Sequence, residues 1–206
     1  MELPQIQFDV LSRLKEASAP ITVPALADAV GVDQAQVSAA CTTLQEAGFV
    51  TIDELPYTEL RLGSAGEPFV DAPLPERVIL DVLKAQGGQV PFTGVSDHCA
   101  LDAGQVGQSL RWLNQRKWAR KDGDNLVLGD GAASADQPQP DELLLKSLGG
   151  GRVASDAELE AEGVPVKAAL EFLSKRKGFL TIKERVTRNV SLTDAGRELL
   201  AKGVTG

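Results

Sequence analysis

Basic side chains are concentrated near the end of the sequence. From Gly163 to Leu192 there are seven cations against two carboxylates, a net charge of +5 in a chain whose total is −8. These cations are Lys167, Lys175, Arg176, Lys177, Lys183, Arg185 and Arg188, and an earlier group consists of Arg111, Arg116 and Lys117. Uncompensated cations predict contact with a polyanion such as nucleic acid. Asparagine and glutamine are sparse among them, so we expect contacts mainly to phosphates, independent of base sequence.

Residues that could perform catalysis or bind a metal are few. His98 is the only histidine, whereas a structural zinc site needs about four ligands. Cys41 falls on an apolar stripe, and no second histidine is available to act as its base. Gly149-Gly150-Gly151 lacks the following lysine and serine or threonine of a phosphate-binding loop. We therefore predict no catalytic residue, no metal site and no cofactor for this chain.

The basic cluster lies on a recognisable succession of elements. Val166, Leu170 and Leu173 are spaced as one apolar stripe of an α-helix, and Pro165 suits its first turn. After the helix, residues 180–192 alternate between apolar and polar, which predicts two short strands. A helix, a short break and a two-stranded ribbon are the ending of a winged helix-turn-helix.

The same pattern occurs three times in the chain. The third helix of each repeat carries an apolar triplet: Val37, Cys41 and Leu44; Val106, Leu110 and Leu113; Val166, Leu170 and Leu173. An aromatic residue follows each triplet, at Phe49, Trp118 and Phe179. Each repeat then closes on a β-like run that ends at Leu62, Leu128 or Leu192. Agreement at this many positions indicates three copies of one unit.

These repeats predict a mainly α fold with small β wings, an α+β chain of three tandem winged helix-turn-helix domains. The first, acidic domain is expected at 1–66, the second at 74–129 and the third, with the basic face, at 141–206. Residues 130–140 are expected to form a flexible linker because they contain no apolar residue larger than alanine. Each domain is expected to form its wing from its own hairpin.

Composition narrows the functional classes. A pI near 4.8 argues against a protein that coats nucleic acid with its whole surface, and the third helix of the first repeat has no basic residue. Two cysteines without a pairing pattern favour a reducing cytoplasm. There is no N-terminal apolar run and no stretch of membrane-spanning length. We expect a soluble cytoplasmic protein without a membrane partner.

Several segments carry a family resemblance. They are LPERVIL at residue 74, LRWLNQRKW at residue 110 and LEFLSKRKGFLTIKERVTRNVSLTDAGREL at residue 170. Together they resemble the N-terminal region of the archaeal and eukaryotic type of phenylalanyl-tRNA synthetase α subunit, which carries tandem winged-helix domains. The resemblance covers essentially all 206 residues. Its LT-x-x-G-x-x-L ending also occurs in bacterial winged-helix regulators.

The resemblance implies tRNA as the partner, contacted outside the catalytic site of an (αβ)₂ class II synthetase. ATP and magnesium are implied only for that full-length enzyme. The class II catalytic motifs are absent from this sequence, so we expect no enzymatic activity from the chain alone. Two other functions stay open. One is a DNA-binding transcription regulator; the other is a protein-interaction scaffold whose acidic first domain docks a partner such as the synthetase β subunit.

Overall fold

The computed structural model describes residues 1–206, which form nine α-helices and seven strands. The first part of the chain contains α1 Gln5–Ala17, β1 Ile21–Thr22, α2 Val23–Val30, α3 Gln34–Glu46 and β2 Val50–Leu62. The middle contains α4 Pro75–Ala85, β3 Gln89–Pro91, α5 Ala103–Arg116, β4 Ala119–Asp122 and β5 Asn125–Leu128. The last part contains α6 Pro140–Ser147, β6 Ala154–Ser155, α7 Asp156–Ala161, α8 Val166–Leu173, β7 Leu180–Leu192 and α9 Asp194–Ala201.

Two compact units divide the chain. Unit 1 combines residues 1–58 with residues 184–206, and unit 2 is formed by residues 59–183. The first repeat, with helices α1 to α3, lies in unit 1. The second repeat (α4, a 3₁₀-helix at Phe92–His98, and α5) and the third (α6 to α8) lie in unit 2. The predicted α+β winged-helix fold is confirmed.

Local sequence explains where the helices begin. The side chains of Asp33 and Asp102 accept hydrogen bonds from the first-turn amides of α3 and α5, and Thr193 caps α9 in the same way. Gly31 ends α2 in the left-handed conformation that glycine adopts without steric cost. None of the nine helices combines the length and apolar composition that a bilayer span requires.

The wing of the second repeat is a local hairpin. β4 pairs with β5, and the Lys121–Asn125 turn between them contains Gly123 with a positive φ of 62°. The short strand β3 adds to the outer side of this hairpin, with Val90 opposite Leu126. The Gly129 amide closes the wing by donating to the Trp118 carbonyl.

The first and third repeats do not form hairpins of their own, which differs from the prediction. β2 and β7 are each one continuous strand of 13 residues, and they are hydrogen-bonded neighbours in one sheet. In unit 1, Ile21 of β1 pairs with Val190 of β7. In unit 2, Ala154 of β6 pairs with Leu60 of β2. Each wing is therefore completed by the strand that follows the other repeat's third helix.

Close backbone approaches show the same exchange. In unit 2 the Gly63 amide donates to the carbonyl of Phe179, as Gly129 does to Trp118 in the second repeat. In unit 1 the Thr193 amide donates to the carbonyl of Phe49. The predicted turn positions explain the difference, because Pro56-Tyr57 lacks the glycine that allows a tight hairpin. The chain consequently runs on as an extended strand.

This exchange changes the expected domain boundaries. Residues 1–66 and 141–206 are not separate bodies, since 59–62 complete the third repeat and 184–206 complete the first. The core of unit 1 accordingly contains Val190, Leu199 and Val204 with the residues of α1 to α3. In unit 2 the third-repeat core includes Leu60, and a second core surrounds Trp118.

The segments between the repeats are also more structured than predicted. Residues 130–140 were expected to be a flexible linker, but Asp130–Ser134 form a 3₁₀-helix. Ala132 and Ala135 are buried in the second-repeat core, so small apolar residues suffice to anchor this segment. Earlier in the chain, Phe69 stacks on Phe179 with ring centroids 5.4 Å apart.

Candidate nucleic-acid interface

The third helices of the second and third repeats meet at their C-terminal ends within unit 2. The Gln115 side-chain amide at the end of α5 donates to the Glu171 carbonyl of α8 over 3.5 Å. The guanidinium of Arg116 lies 4.4 Å from the centroid of the Phe172 ring. Reciprocally, the Arg176 guanidinium lies 4.5 Å from the centroid of the Trp112 ring. The two helix ends are thus locked together by exchanged cation–aromatic contacts.

Four buried charged residues form a second set of exchanged contacts, which we term the buried ion cluster: Glu76, Arg116, Asp141 and Arg176. The Arg176 guanidinium donates to both carboxylate oxygens of Glu76 at 2.8 Å. Arg116 donates to both oxygens of Asp141, one of them at 3.0 Å. Glu76 and Asp141 are 0% exposed. Each repeat supplies an arginine from its third helix end and a carboxylate from the start of its first helix.

Burial removes the four charges of this cluster from water, which costs free energy unless the charges are paired. It raises the pKa of Glu76 above its ordinary value, while the neighbouring Arg176 and then Arg116 guanidinium groups act in the opposite direction. Arg116 lies 4.0 Å from Glu76 and also pairs with Asp141, so it balances charge on both carboxylates. Its Nε atom is buried without a hydrogen-bond partner. The cluster is stable only while all four charges are present, because removal of one leaves a desolvated charge unpaired.

An outer pair extends the cluster on one side. Arg77 follows Glu76 in α4 and donates to Glu142 of α6, with Nε to Oε2 at 3.1 Å. Its guanidinium lies 4.5 Å from the centroid of the Trp118 ring and also donates to the Ala135 carbonyl. Arg77 therefore ties the segment after the second wing to the starts of both first helices.

Two of the residues predicted to contact nucleic acid are buried in the structure. Arg116 and Arg176 are 8% and 9% exposed, and their guanidinium groups are occupied by carboxylates and aromatic rings. They cannot present their charge to a phosphate in this arrangement. Sequence analysis missed Glu76 and Asp141, although both follow a proline at the start of a first helix. Their matching positions in the two repeats are the sequence signal that could have identified them.

The lysines beside the buried arginines are exposed. Lys117 follows Arg116, and Lys175 and Lys177 flank Arg176; we term these three the helix-end lysines. None of the three forms an ion pair. Lys117 occupies the left-handed conformation, with φ 58°, at the C-terminal cap of α5. Because α5 and α8 meet at their ends, these lysines lie at one edge of unit 2, where the helix dipoles favour positive charge.

The other predicted cations are divided between the two units. Arg111, Lys167 and Lys183 are exposed in unit 2, and the Arg111 guanidinium lies 4.7 Å from the centroid of the Trp112 ring. Arg185 and Arg188 are exposed residues of unit 1, and Arg188 pairs with Glu54 at 3.3 Å. The single basic face predicted from the sequence is thus divided. Its largest group is the one around the joined helix ends.

The remaining candidate chemistry is sparse. No three residues among the histidines, cysteines, aspartates and glutamates are placed to hold a metal ion. Cys41 is buried in the core of unit 1, and burial raises the pKa of its thiol to about 11. The thiol of Cys99 donates to the Val95 carbonyl at 3.5 Å. Neither cysteine is paired with a base.

The fold and the repeats define a tandem winged-helix protein, and a model of the MarR family matches residues 2–56. The predicted resemblance to the phenylalanine–tRNA ligase α subunit is also confirmed. The subunit of Methanopyrus kandleri is 30% identical over 199 residues, which cover 92% of this chain and 37% of the relative. That of Methanothermobacter thermautotrophicus is 27% identical over 200 residues, covering 95% and 37%.

A third archaeal relative, the α subunit of Pyrococcus horikoshii, is 29% identical over 190 residues, or 90% of this chain and 35% of the relative. The chain therefore spans just over a third of the length of these relatives. Among solved structures, the mRNA-binding domain of elongation factor SelB from E. coli, in complex with SECIS RNA, is 14% identical. It covers 62% of this chain and 100% of its own, with a TM-score of 0.24.

Proposed function

We propose that this chain is a tRNA-binding module of a phenylalanyl-tRNA synthetase α subunit, which contacts tRNA phosphates outside the catalytic site. The observation that carries the proposal is the set of unpaired helix-end lysines, exposed beside arginines that are engaged in buried pairs. The similarity to archaeal α subunits over most of the chain supports tRNA as the polyanion. Aminoacylation itself, with its ATP and magnesium, belongs in this proposal to the rest of the synthetase.

The chemistry of this edge favours phosphate over base contacts. Lysine is a flexible point charge and does not discriminate base edges as a fixed bidentate donor does. Gln115, at the end of α5, already donates its side-chain amide to the Glu171 carbonyl. Binding through this edge would therefore be sensitive to salt and tolerant of base sequence.

Salt dependence gives the first test. Each neutralised phosphate contributes a slope of roughly −0.7 to −0.9 in the logarithm of affinity against the logarithm of salt concentration. Contacts by the three helix-end lysines and Arg111 would give a slope of about −3. Affinity for unfractionated tRNA would then fall by about 50-fold to 150-fold between 50 and 200 mM salt. Filter binding or fluorescence anisotropy measures this directly.

A charge-reversal variant localises the contact. Lys175→Glu combined with Lys177→Glu should reduce the slope by about 2, because each lysine accounts for about one phosphate. The matched control is Lys15→Glu combined with Lys202→Glu, which makes the same charge change at exposed positions of unit 1. Equal losses in both double variants would show that only net charge matters. That result would refute the helix-end lysines as the binding site.

The DNA-binding alternative can be separated in the same assay. Its specific support is the MarR family match to residues 2–56. Against it, α3 in that region has no lysine or arginine with which to bind a phosphate. A mixed-sequence DNA duplex that binds more tightly than tRNA, unaffected by the lysine reversals, would support a regulator instead.

A further inference from the structure

A groove in unit 1 runs between α3 and the ribbon of β2 and β7. One part has a volume of about 540 Å³ and is bordered by Gln34 and Ser38 of α3 and by Tyr57 and Val186 of the ribbon. The other part, of about 370 Å³, continues along the helix to Thr42 and Gln45. Ser38 borders both parts, so they form one continuous groove.

The helix side of this groove is polar without being charged. Gln34, Ser38, Thr42 and Gln45 follow one another at intervals of three or four residues, which places them on one face of α3. Their amides and hydroxyls can pair with the backbone of an extended peptide. The opposite wall supplies apolar contacts, including Val186, which is 48% exposed.

The net charge of unit 1 disfavours a phosphate backbone in the groove. Its charged residues are Glu54 and Arg188, which pair with each other at 3.3 Å. Two carboxylates adjoin the helix wall in sequence, Asp33 before Gln34 and Glu46 after Gln45, and Arg185 adjoins Val186 on the opposite wall. Unit 1 as a whole has six lysines and arginines against eleven aspartates and glutamates, a net charge of −5. A cationic ligand is therefore attracted and a polyanion repelled.

We propose that this groove binds an extended, basic peptide segment of a protein partner. The face from Gln34 to Gln45 extends over roughly 16 Å of helix, which matches about five residues of extended chain. Apolar side chains of the segment contact Val186 and Tyr57, while its lysines or arginines reach Asp33 and Glu46, the carboxylates at the two ends of α3. The proposal concerns unit 1 alone and is independent of the lysines proposed to bind tRNA in unit 2.

A display experiment with the full chain tests this assignment. A library of random 12-residue peptides is panned against the wild-type chain and against Ser38→Arg, which adds bulk and positive charge to the middle of the groove. The control is Gln36→Arg, the same change at an exposed position of α3 that does not line the groove. We expect peptides with a net positive charge that bind wild type and Gln36→Arg equally, and Ser38→Arg at least tenfold more weakly.

Two results would overturn the proposal. One is a panning that yields no peptide sensitive to Ser38→Arg, or yields only acidic ones. The other comes from a twelve-nucleotide single-stranded RNA titrated into the labelled full chain. If that RNA shifts the NMR signals of Ser38 and Thr42 while the selected peptides do not, the groove is a nucleic-acid site. Loss of tRNA binding in the lysine variants would affect neither outcome.

Discussion

The end of the third helix differs between the repeats, and the difference separates the two units. Arg116 and Arg176 stand three residues after the last leucine of their third helices, whereas the first repeat has Ala47 there. Glu76 and Asp141 stand four residues before a core leucine of their first helices, where the first repeat has Gln7. The second and third repeats share unit 2 and its ion cluster, while the first repeat forms its core in unit 1.

The residues that form the core of each repeat are different from the residues that join two repeats to each other. The apolar spacing common to all repeats produces three similar cores. Two further positions are charged in the second and third repeats and uncharged in the first, and their side chains join the two repeats of unit 2. A buried ion pair adds little net stability compared with apolar residues, yet it strongly disfavours any arrangement that leaves one charge alone. We therefore expect the cluster to favour the pairing of the second and third repeats over other arrangements.

Removal of one arginine from the cluster should have the largest effect. Arg116→Ala leaves Asp141 buried without its partner, and we expect a loss of about 3–5 kcal/mol in the free energy of unfolding of unit 2. Urea denaturation followed by tryptophan fluorescence measures this, because Trp112 and Trp118 are the only tryptophans and both lie in unit 2. Lys175→Ala, a truncation at an exposed position of unit 2 next to the other buried arginine, is the matched control and should change stability by less than about 0.5 kcal/mol. A loss below 1 kcal/mol for Arg116→Ala would show that the cluster does not hold the repeats together.

The wing exchange predicts which of the two units a core substitution will destabilise. Leu60→Ala removes a fully buried side chain from the third-repeat core and should cost about 2–4 kcal/mol in unit 2. Val190→Ala should instead weaken unit 1, where Val190 is buried. Tryptophan fluorescence reports unit 2, and alkylation of Cys41 in a Cys99→Ser background reports unit 1. With local hairpins the outcome would reverse, since Leu60 would then belong to the first repeat.

A pH effect of intermediate size should be confined to unit 1. The pKa of Cys41 is about 11 in the folded chain, above the ordinary value near 9, so the folded state retains the thiol proton more strongly. The contribution of the Cys41 thiol to the free energy of unfolding is complete below about pH 8 and is lost as the pH rises towards the folded pKa. At pH 10 the loss should be about 1.4 kcal/mol. The difference in unfolding free energy between wild type and Cys41→Ala, measured at pH 8 and pH 10, isolates this titration. An unchanged difference would mean that Cys41 is accessible in the folded state.

Structural features that depend on neighbouring residues can be predicted from the sequence, whereas those that depend on distant residues cannot. The helices, their caps and the three cores follow from apolar spacing and from residues such as Asp33, Asp102 and Thr193, which act within one turn. The Lys121–Asn125 hairpin could be predicted because its turn residues are contiguous. The exchange of β2 and β7 could not be predicted. The alternation of apolar and polar residues around Leu60 and Val190 is the same whether each strand pairs within its own repeat or with the other repeat.

The charged residues show the same limit. The local sequence does not show whether a lysine or arginine near a helix end faces solvent or a distant carboxylate. Arg176, for example, pairs with Glu76, which lies 100 residues earlier in the chain. Arg176 and its neighbours Lys175 and Lys177 were therefore indistinguishable in the sequence. Burial, which depends on packing between repeats, separates them.

The surface pair in unit 1 should give the smallest effect and so calibrate the comparison. Arg188 and Glu54 pair at 3.3 Å, with side chains 51% and 60% exposed. Solvent screens such a pair, and Arg188→Ala should change the unfolding free energy of unit 1 by less than about 1 kcal/mol. The Arg188→Ala and Glu54→Ala double-mutant cycle, followed by Cys41 alkylation, gives the coupling between the two side chains. A coupling as large as that of Arg116 and Asp141 would contradict burial as the reason for the strength of the cluster in unit 2, because the surface pair has the same charges but is solvent-exposed and joined by a single contact.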